Sequence, residues 1–384
     1  MPKHADYVDS IVQAMSIKYN NLVYEMKSRG EDIIVLSLGE AFFDIPLYTF
    51  NDLPIPDIYH YSHSRGIIGL REKLAKYYSE QYNVPIDPNN EIIITAGSKI
   101  AIHMAFMSIL NSGDEVIIPE PAWVSYPEQV RLCHGTPVLV PYYETVRDFE
   151  KYVTKRTKAI VVNSPHNPRG LVLTENELEY LHALARQYDI YLLADEAYSD
   201  FLLDDDKFIS CGLHDPKKEH SIICNSMSKN YGMSGWRIGY VITNPDLTFQ
   251  ILKINQHLIT CPATILEHYL VKHFENILAI TKPQILDVVN KRKSLATYMD
   301  SLGLTYLPGT ATFYFFVSIE KSRLTSEEFC TRLLTEYHIS TVPGLGYGQS
   351  CDHYIRVSVG TESMERTMYG VKMIKELISM TATA

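Results

Sequence analysis

SIICNSMSKNYGMSGWRIGYVIT, residues 221–243, sets two short apolar runs around a polar, glycine-rich turn. The runs SIICNSM (221–227) and RIGYVIT (237–243) are apolar and β-branched at consecutive positions. Strands buried on both faces of a largely parallel sheet have this pattern. The stretch also carries Ser226, Ser228, a lone Lys229 and, eight positions later, Arg237. One reading is a solvated basic loop. The other is a lysine that does covalent chemistry beside an anion held by its neighbours.

Five more strands of the same kind lie upstream: EIIIT (91–95), EVIIP (115–119), TPVLVPY (136–142), KAIVVN (158–163) and DIYLLAD (189–195). Helical segments alternate with them at 67–82, 99–110 and 174–188, the last opening on a capping box, Thr174 with Glu177. This alternation predicts an α/β layered unit over roughly 45–270. Beyond it, a helix near 281–301, strands at 310–319, 338–344 and 353–359, and helices near 325–336 and 362–378 predict a smaller α+β unit. A first helix, about 10–29, is expected to pack outside the large unit or onto a partner.

The chain has 384 residues, 46% hydrophobic and 21% charged, an ordinary globular composition. A formal net charge of −10 argues against a sequence-independent nucleic-acid binder. The N-terminus lacks the apolar core of a signal peptide, and no apolar run approaches a membrane span. The six cysteines are scattered without a CxxC pair, so neither zinc site nor disulfide framework is indicated, and a reducing, cytoplasmic location is expected.

Ligands of open parallel sheets bind at the carboxyl ends of the strands. EIIIT runs into AGSK (96–99). Gly97 permits a tight turn and the N–H groups of Ser98 and Lys99 can face an anion, although many such glycines serve packing alone. KAIVVN runs into SPHNPRG (164–170), either a bare turn or one that presents the Asn167 amide. DIYLLAD runs into ADEAY (194–198), where buried acids need partners. Asp195 could be a structural acid or could pair with a protonated ring nitrogen. No His/Cys cluster supports a metal there. Near Lys229, Ser226 and Arg237 could hold a phosphate, Arg237 through its fork.

Taken in order, LSLGEAFFDIP (36–46), YSHSRGIIGLREKLA (61–75), TAGSK, PEPAW (119–123), SPHNPRG, ADEAY, SMSKNYGMSGWRIGY and YIRVSVG (354–360) resemble the class I/II aminotransferases. These are fold-type I pyridoxal-phosphate enzymes of the aspartate aminotransferase superfamily. The resemblance implies a large cofactor-binding domain over 45–275 with a mostly parallel seven-stranded sheet. It implies a small domain from 1–44 and 276–384. It implies that Lys229 carries the cofactor aldehyde and moves the proton, that Asp195 pairs with the ring nitrogen, and that Asn167 and Tyr198 meet the ring oxygen. Trp123 would stack on the ring. Gly97, Ser98, Lys99, Ser226, Ser228 and Arg237 would surround the phosphate, with Tyr61 reaching in from the neighbour of a homodimer. Arg356 and Gly39 would take the substrate α-carboxylate. Pro121 and Pro168 match positions where cis peptide bonds are expected.

The implied reaction is ping-pong amino transfer between an L-amino acid and a 2-oxo acid, with no metal. Lys99 hints at the glutamate/2-oxoglutarate pair, whereas Phe42, Phe43 and Tyr48 could favour an aromatic or apolar side chain. A β-lyase, a decarboxylase or an aminocyclopropane-carboxylate-synthase-like enzyme would share nearly every residue named. A ligand-sensing regulator is disfavoured by the acidic charge and by motifs that begin near residue 36. Four departures from the family pattern, Ala41, Phe42, Ser164 and Arg169, are expected near the substrate entrance.

Overall fold

The computed structural model describes residues 2–203 and 206–382. Helix α1 (Met15–Ser28) and strand β1 (Ile34–Val35) come first, then α2 (Ile68–Tyr82). Strands and helices then alternate: β2 (Ile92–Thr95), α3 (Ser98–Ile109), β3 (Glu115–Pro119), α4 (Ser125–Leu132) and β4 (Thr136–Val140). Next come β5 (Thr157–Asn163), α5 (Glu175–Tyr188), β6 (Tyr191–Asp195), β7 (Ser221–Ser226) and β8 (Gly239–Ile242). Helices α6 (Pro245–Leu258) and α7 (Thr264–Ser301) lead to β9 (Tyr314–Ser318), α8 (Ser326–Tyr337), β10 (Ile339–Ser340), β11 (Val342–Pro343), β12 (Tyr354–Ser358) and α9 (Met364–Met380).

Seven strands form one sheet in the order β2-β8-β7-β6-β5-β3-β4. All run parallel except β8, which is antiparallel to both its neighbours β2 and β7. The consecutive apolar residues that marked these strands fill two cores at once. Ile92, Ile94, Ile160, Val162 and Leu192 join the core on one face, while Ile93, Val161, Leu193 and Ile222 join the core on the other. Only β4, at the edge, is largely exposed or half-buried.

Three strands, β11-β12-β9, make a separate antiparallel sheet. Its core combines Tyr19, Val23 and Leu36 with Phe313, Phe315, Leu333 and Leu377, so the two ends of the chain share one hydrophobic cluster. β1 pairs with β10 in parallel. The first helix therefore packs on the chain's own C-terminal part.

The long helix differs from the sequence reading. It begins at Thr264 rather than near 281 and carries Pro283 in its interior. It buries Tyr269, Leu270, Phe274 and Ile277 before the proline and Ile285, Val289 and Leu295 after it, so one apolar stripe runs through both halves. Residue 275, the expected end of the larger unit, lies within this helix. Among the described residues, no helix is long and apolar enough to cross a membrane.

Candidate active site

β2, β5, β6 and β7 point the same way, and the segments after their carboxyl ends meet at one cavity of about 290 Å³. Ser98, Lys99, Trp123, Asn167, Asp195, Tyr198, Ser226, Ser228, Lys229 and Arg237 line it, and Gly39 and Arg356 close it from the smaller sheet's side. Tyr61 is the exception: it is 86% exposed and does not reach this cavity within its own chain.

At one end the backbone approaches a guanidinium. Gly97 precedes α3 with φ +89°, and a Cβ added there would lie 2.3 Å from Arg237 Nη2. Only glycine fits that conformation and that distance. Arg237 Nη1 donates to Ser234 O at 2.7 Å and to Ser228 Oγ at 3.4 Å. Ser226 Oγ accepts from the Ser228 N–H at 3.2 Å. The first N–H groups of α3, two serine hydroxyls and a guanidinium make a cradle for an anion.

At the other end stands Arg356, on β12 and 3% exposed. Nη2 donates to Ser37 O at 2.7 Å and Nη1 to Asn167 Oδ1 at 3.4 Å, while buried Nε has no partner. A buried guanidinium with an orphaned donor, and no ion pair to a carboxylate among the described residues, suits a ligand carboxylate.

Lys229 lies between these ends, its Nζ donating to Gly39 O. Burial pulls its pKa down to about 8; the Arg356 and Arg237 charges push the same way and Glu40 opposes them. A neutral amine is the nucleophilic form. Asp195 is held by two donors: Tyr126 Oη at 2.6 Å and the Ala197 N–H at 3.1 Å. Burial raises its pKa, and the Tyr126 and Ala197 bonds and Lys229 counter that rise. Glu196 turns away to Ser210 Oγ, the Cys211 N–H and Tyr78 Oη. Burial lifts Glu196 to about 7. The two adjacent acids of ADEAY thus part company, one to the cavity and one to the core.

Several lining residues escaped the sequence reading. Tyr126 follows Trp123 by three positions at the start of α4, a helical spacing that could have flagged it. Asn163 ends KAIVVN, donates to Asp195 O at 2.9 Å and accepts from the Asn167 N–H at 2.8 Å, fixing the turn that carries Asn167. Tyr314 Oη meets Tyr198 Oη at 2.8 Å, yet nothing in FYFF distinguishes it. Ser16, Asn20 and Glu40 also reach the cavity.

The expected aromatic entrance is absent from this cavity. Phe42 is 63% exposed, Phe43 stacks on Phe201 at 6.2 Å, and Tyr48 stacks on His273 at 4.4 Å. Of the four departures, Ala41 is buried, and Ser164 Oγ accepts from the Leu173 N–H at 3.1 Å to close its own turn. Arg169 faces away from the cavity and donates from Nε to Pro308 O at 3.0 Å. The peptide bonds before Pro121 and Pro168 are cis, as are those before Pro56 and Pro165.

An amine at depressed pKa, an anion cradle, a held carboxylate and a second buried arginine in one cavity fit pyridoxal phosphate with an amino-acid substrate. Residues 50–371 match the family described as aminotransferase class I and II. The chain is 33% identical to an aspartate aminotransferase of Pyrococcus abyssi, over 90% of this chain and 92% of that one. It is 32% identical to aromatic-amino-acid aminotransferase 2 of Thermococcus litoralis, over 92% and 95%. The solved aspartate aminotransferase of Thermus thermophilus with maleate superposes at a TM-score of 0.88, with 27% identity over 98% and 100% of the chains. The chain belongs to the class I and II aminotransferases. It is a pyridoxal-phosphate-dependent transaminase.

Proposed function

We propose that this chain moves an amino group between a dicarboxylic L-amino acid and a 2-oxo acid, with glutamate and 2-oxoglutarate as one pair. The observation that carries the reading is the convergence of Lys229, the Gly97–Arg237 cradle and Arg356 on one cavity of about 290 Å³. When bound, the cofactor supplies an aldehyde for nitrogen and a protonated ring that accepts electrons from the substrate Cα. Arg237, Ser226, Ser228 and the α3 N-terminus take its phosphate. Asp195, held by Tyr126, would keep the ring nitrogen protonated, Asn167 and Tyr198 would hold the ring oxygen and Trp123 would stack on the ring. Arg356 grips the α-carboxylate, with Asn167 and Gly39 beside it. Lys229 Nζ would serve as the base that takes the proton from the substrate Cα. Lys99 Nζ lies 5.1 Å from the Trp123 ring and offers a cation at the cavity wall for a distal carboxylate.

The relatives named as aspartate aminotransferases support the dicarboxylic reading. The two-domain division at 45–275 and the cytoplasmic location belong to the same proposal. So does the homodimer, because exposed Tyr61 can serve a phosphate only across an interface. The test is a half-reaction followed by absorbance. Aspartate or glutamate alone should convert the enzyme to its pyridoxamine form, and 2-oxoglutarate should restore it. Ammonia, pyruvate or CO₂ released without an oxo-acid acceptor would refute transamination as the main reaction. Conversion by phenylalanine but not glutamate would refute the substrate class.

A further inference from the structure

A second cavity, about 390 Å³, lies behind the SPHNPRG turn, and Asn163 borders both it and the cofactor cavity. Its volume falls in the range of small-molecule sites. The walls are apolar, with Val146, Phe149, Leu171 and Leu181 among them. Two of its charged groups face it with bonding capacity left. Arg169 spends only Nε, on Pro308 O, and among the described residues its terminal nitrogens meet no acceptor. Glu177 uses one carboxylate oxygen for the Thr174 capping box, and its other oxygen has no partner among the described residues. The Glu177 charge acts on Arg169, yet the two form no ion pair. Of the other acids in the lining, Glu120 is bonded by the Gln349 and Ser350 N–H groups, and Glu144 lies 3.6 Å from Lys151. Burial keeps the His166 imidazole neutral, and its Nδ1 faces the Arg169 N–H.

We propose that this cavity is a second binding site, distinct from the catalytic one, for a free α-amino acid with an apolar side chain. The ligand carboxylate meets the open fork of Arg169, its ammonium meets Glu177, and its side chain fills the space against Phe149 and Leu171. Neither a simple carboxylate nor a simple amine uses both charges, whereas a zwitterion does.

Calorimetric titration of L-leucine and L-phenylalanine into the pyridoxamine-form holoenzyme, which cannot condense with an amine, tests this. The expected result is one site per chain, with Kd raised about tenfold or more in Arg169→Ala, in Glu177→Gln and in the cavity-filling Leu171→Trp. Arg169→Lys should recover part of the loss, because it keeps the charge without the fork. 4-Methylpentanoate and 3-methylbutylamine, which are leucine without its ammonium and without its carboxylate, should bind about tenfold more weakly than leucine. Absence of binding by both amino acids, heats unchanged in Arg169→Ala and Leu171→Trp, or 4-methylpentanoate binding as tightly as leucine would each overturn the proposal.

Discussion

Replacing Gly97 by alanine tests the anion cradle through a single methyl group. The residue sits at φ +89° and ψ 161°, a region open almost only to glycine, where an L side chain costs about 1–3 kcal/mol. The new Cβ would lie 2.3 Å from Arg237 Nη2, against the ordinary carbon contact of roughly 3.5 Å or more. The glycine backbone is fixed between β2 and α3, so the guanidinium must retreat by about 1 Å. It cannot do so freely: Nη1 is tied to Ser234 O at 2.7 Å, and Arg237 itself sits at φ +56°. Moving the fork off the phosphate forfeits one charge-assisted hydrogen bond, about 1.5–3 kcal/mol. That is about a ten- to hundredfold rise in the Kd for pyridoxal phosphate. Titration of cofactor into the apo variant, followed by absorbance of the lysine-bound form, measures it, with thermal unfolding of the apo protein as the control for strain. Arg237→Lys should fall in the same range, because it keeps charge but loses the fork. A Gly97→Ala variant that binds the cofactor within twofold of wild type would show that Arg237 does not hold the phosphate from where it stands.

The remaining predictions concern the rest of the cavity. In the cofactor-free protein Lys229 releases its proton near pH 8, while the unfolded chain holds it to about 10.5. The unfolded state therefore binds more protons across that window, and stability should rise with pH from about 8 to 10.5. Urea midpoints of the apo protein should show this rise, and Lys229→Met, which also cannot form the lysine-bound absorbance, should lose it. Tyr126→Phe removes a donor from a buried carboxylate, so burial should raise the Asp195 pKa further and kcat should fall about tenfold or more. An unchanged kcat and pH profile would leave Tyr126 a packing residue. Arg356→Ala should raise KM for the amino acid about a hundredfold with the cofactor absorbance intact, and steady-state kinetics would detect it.

Most of this site was legible because strand ends in an open sheet carry their chemistry in sequence. AGSK, SPHNP, ADEAY and SMSK each follow or close a run of consecutive apolar residues, and parallel packing brings the four ends to one cavity. What escaped was pairing between distant segments. Tyr126 and Asp195 are 69 positions apart, Tyr198 and Tyr314 are 116 apart, and no local period connects them. An aromatic run such as FYFF reads as core, and here it is core: Phe313, Tyr314, Phe315 and Phe316 are all fully buried. Tyr314 differs from its neighbours only in that its hydroxyl finds Tyr198, which the fold decides. The misplaced entrance has the same origin. GEAFF matches the family by position, so its phenylalanines were expected at the substrate. The backbone alternates, however, sending Phe43 against Phe201 in the interior and Phe42 to the surface, and Gly39 and Glu40 alone of GEAFF reach the cavity. Arg169 makes the converse case. It sits inside the most recognisable turn of the chain, two residues from Asn167, yet the turn that aims Asn167 at Arg356 carries the Arg169 side chain to Pro308 and a different cavity. Neighbours in a motif share a backbone path, not a destination, and a tight turn is where that difference is greatest.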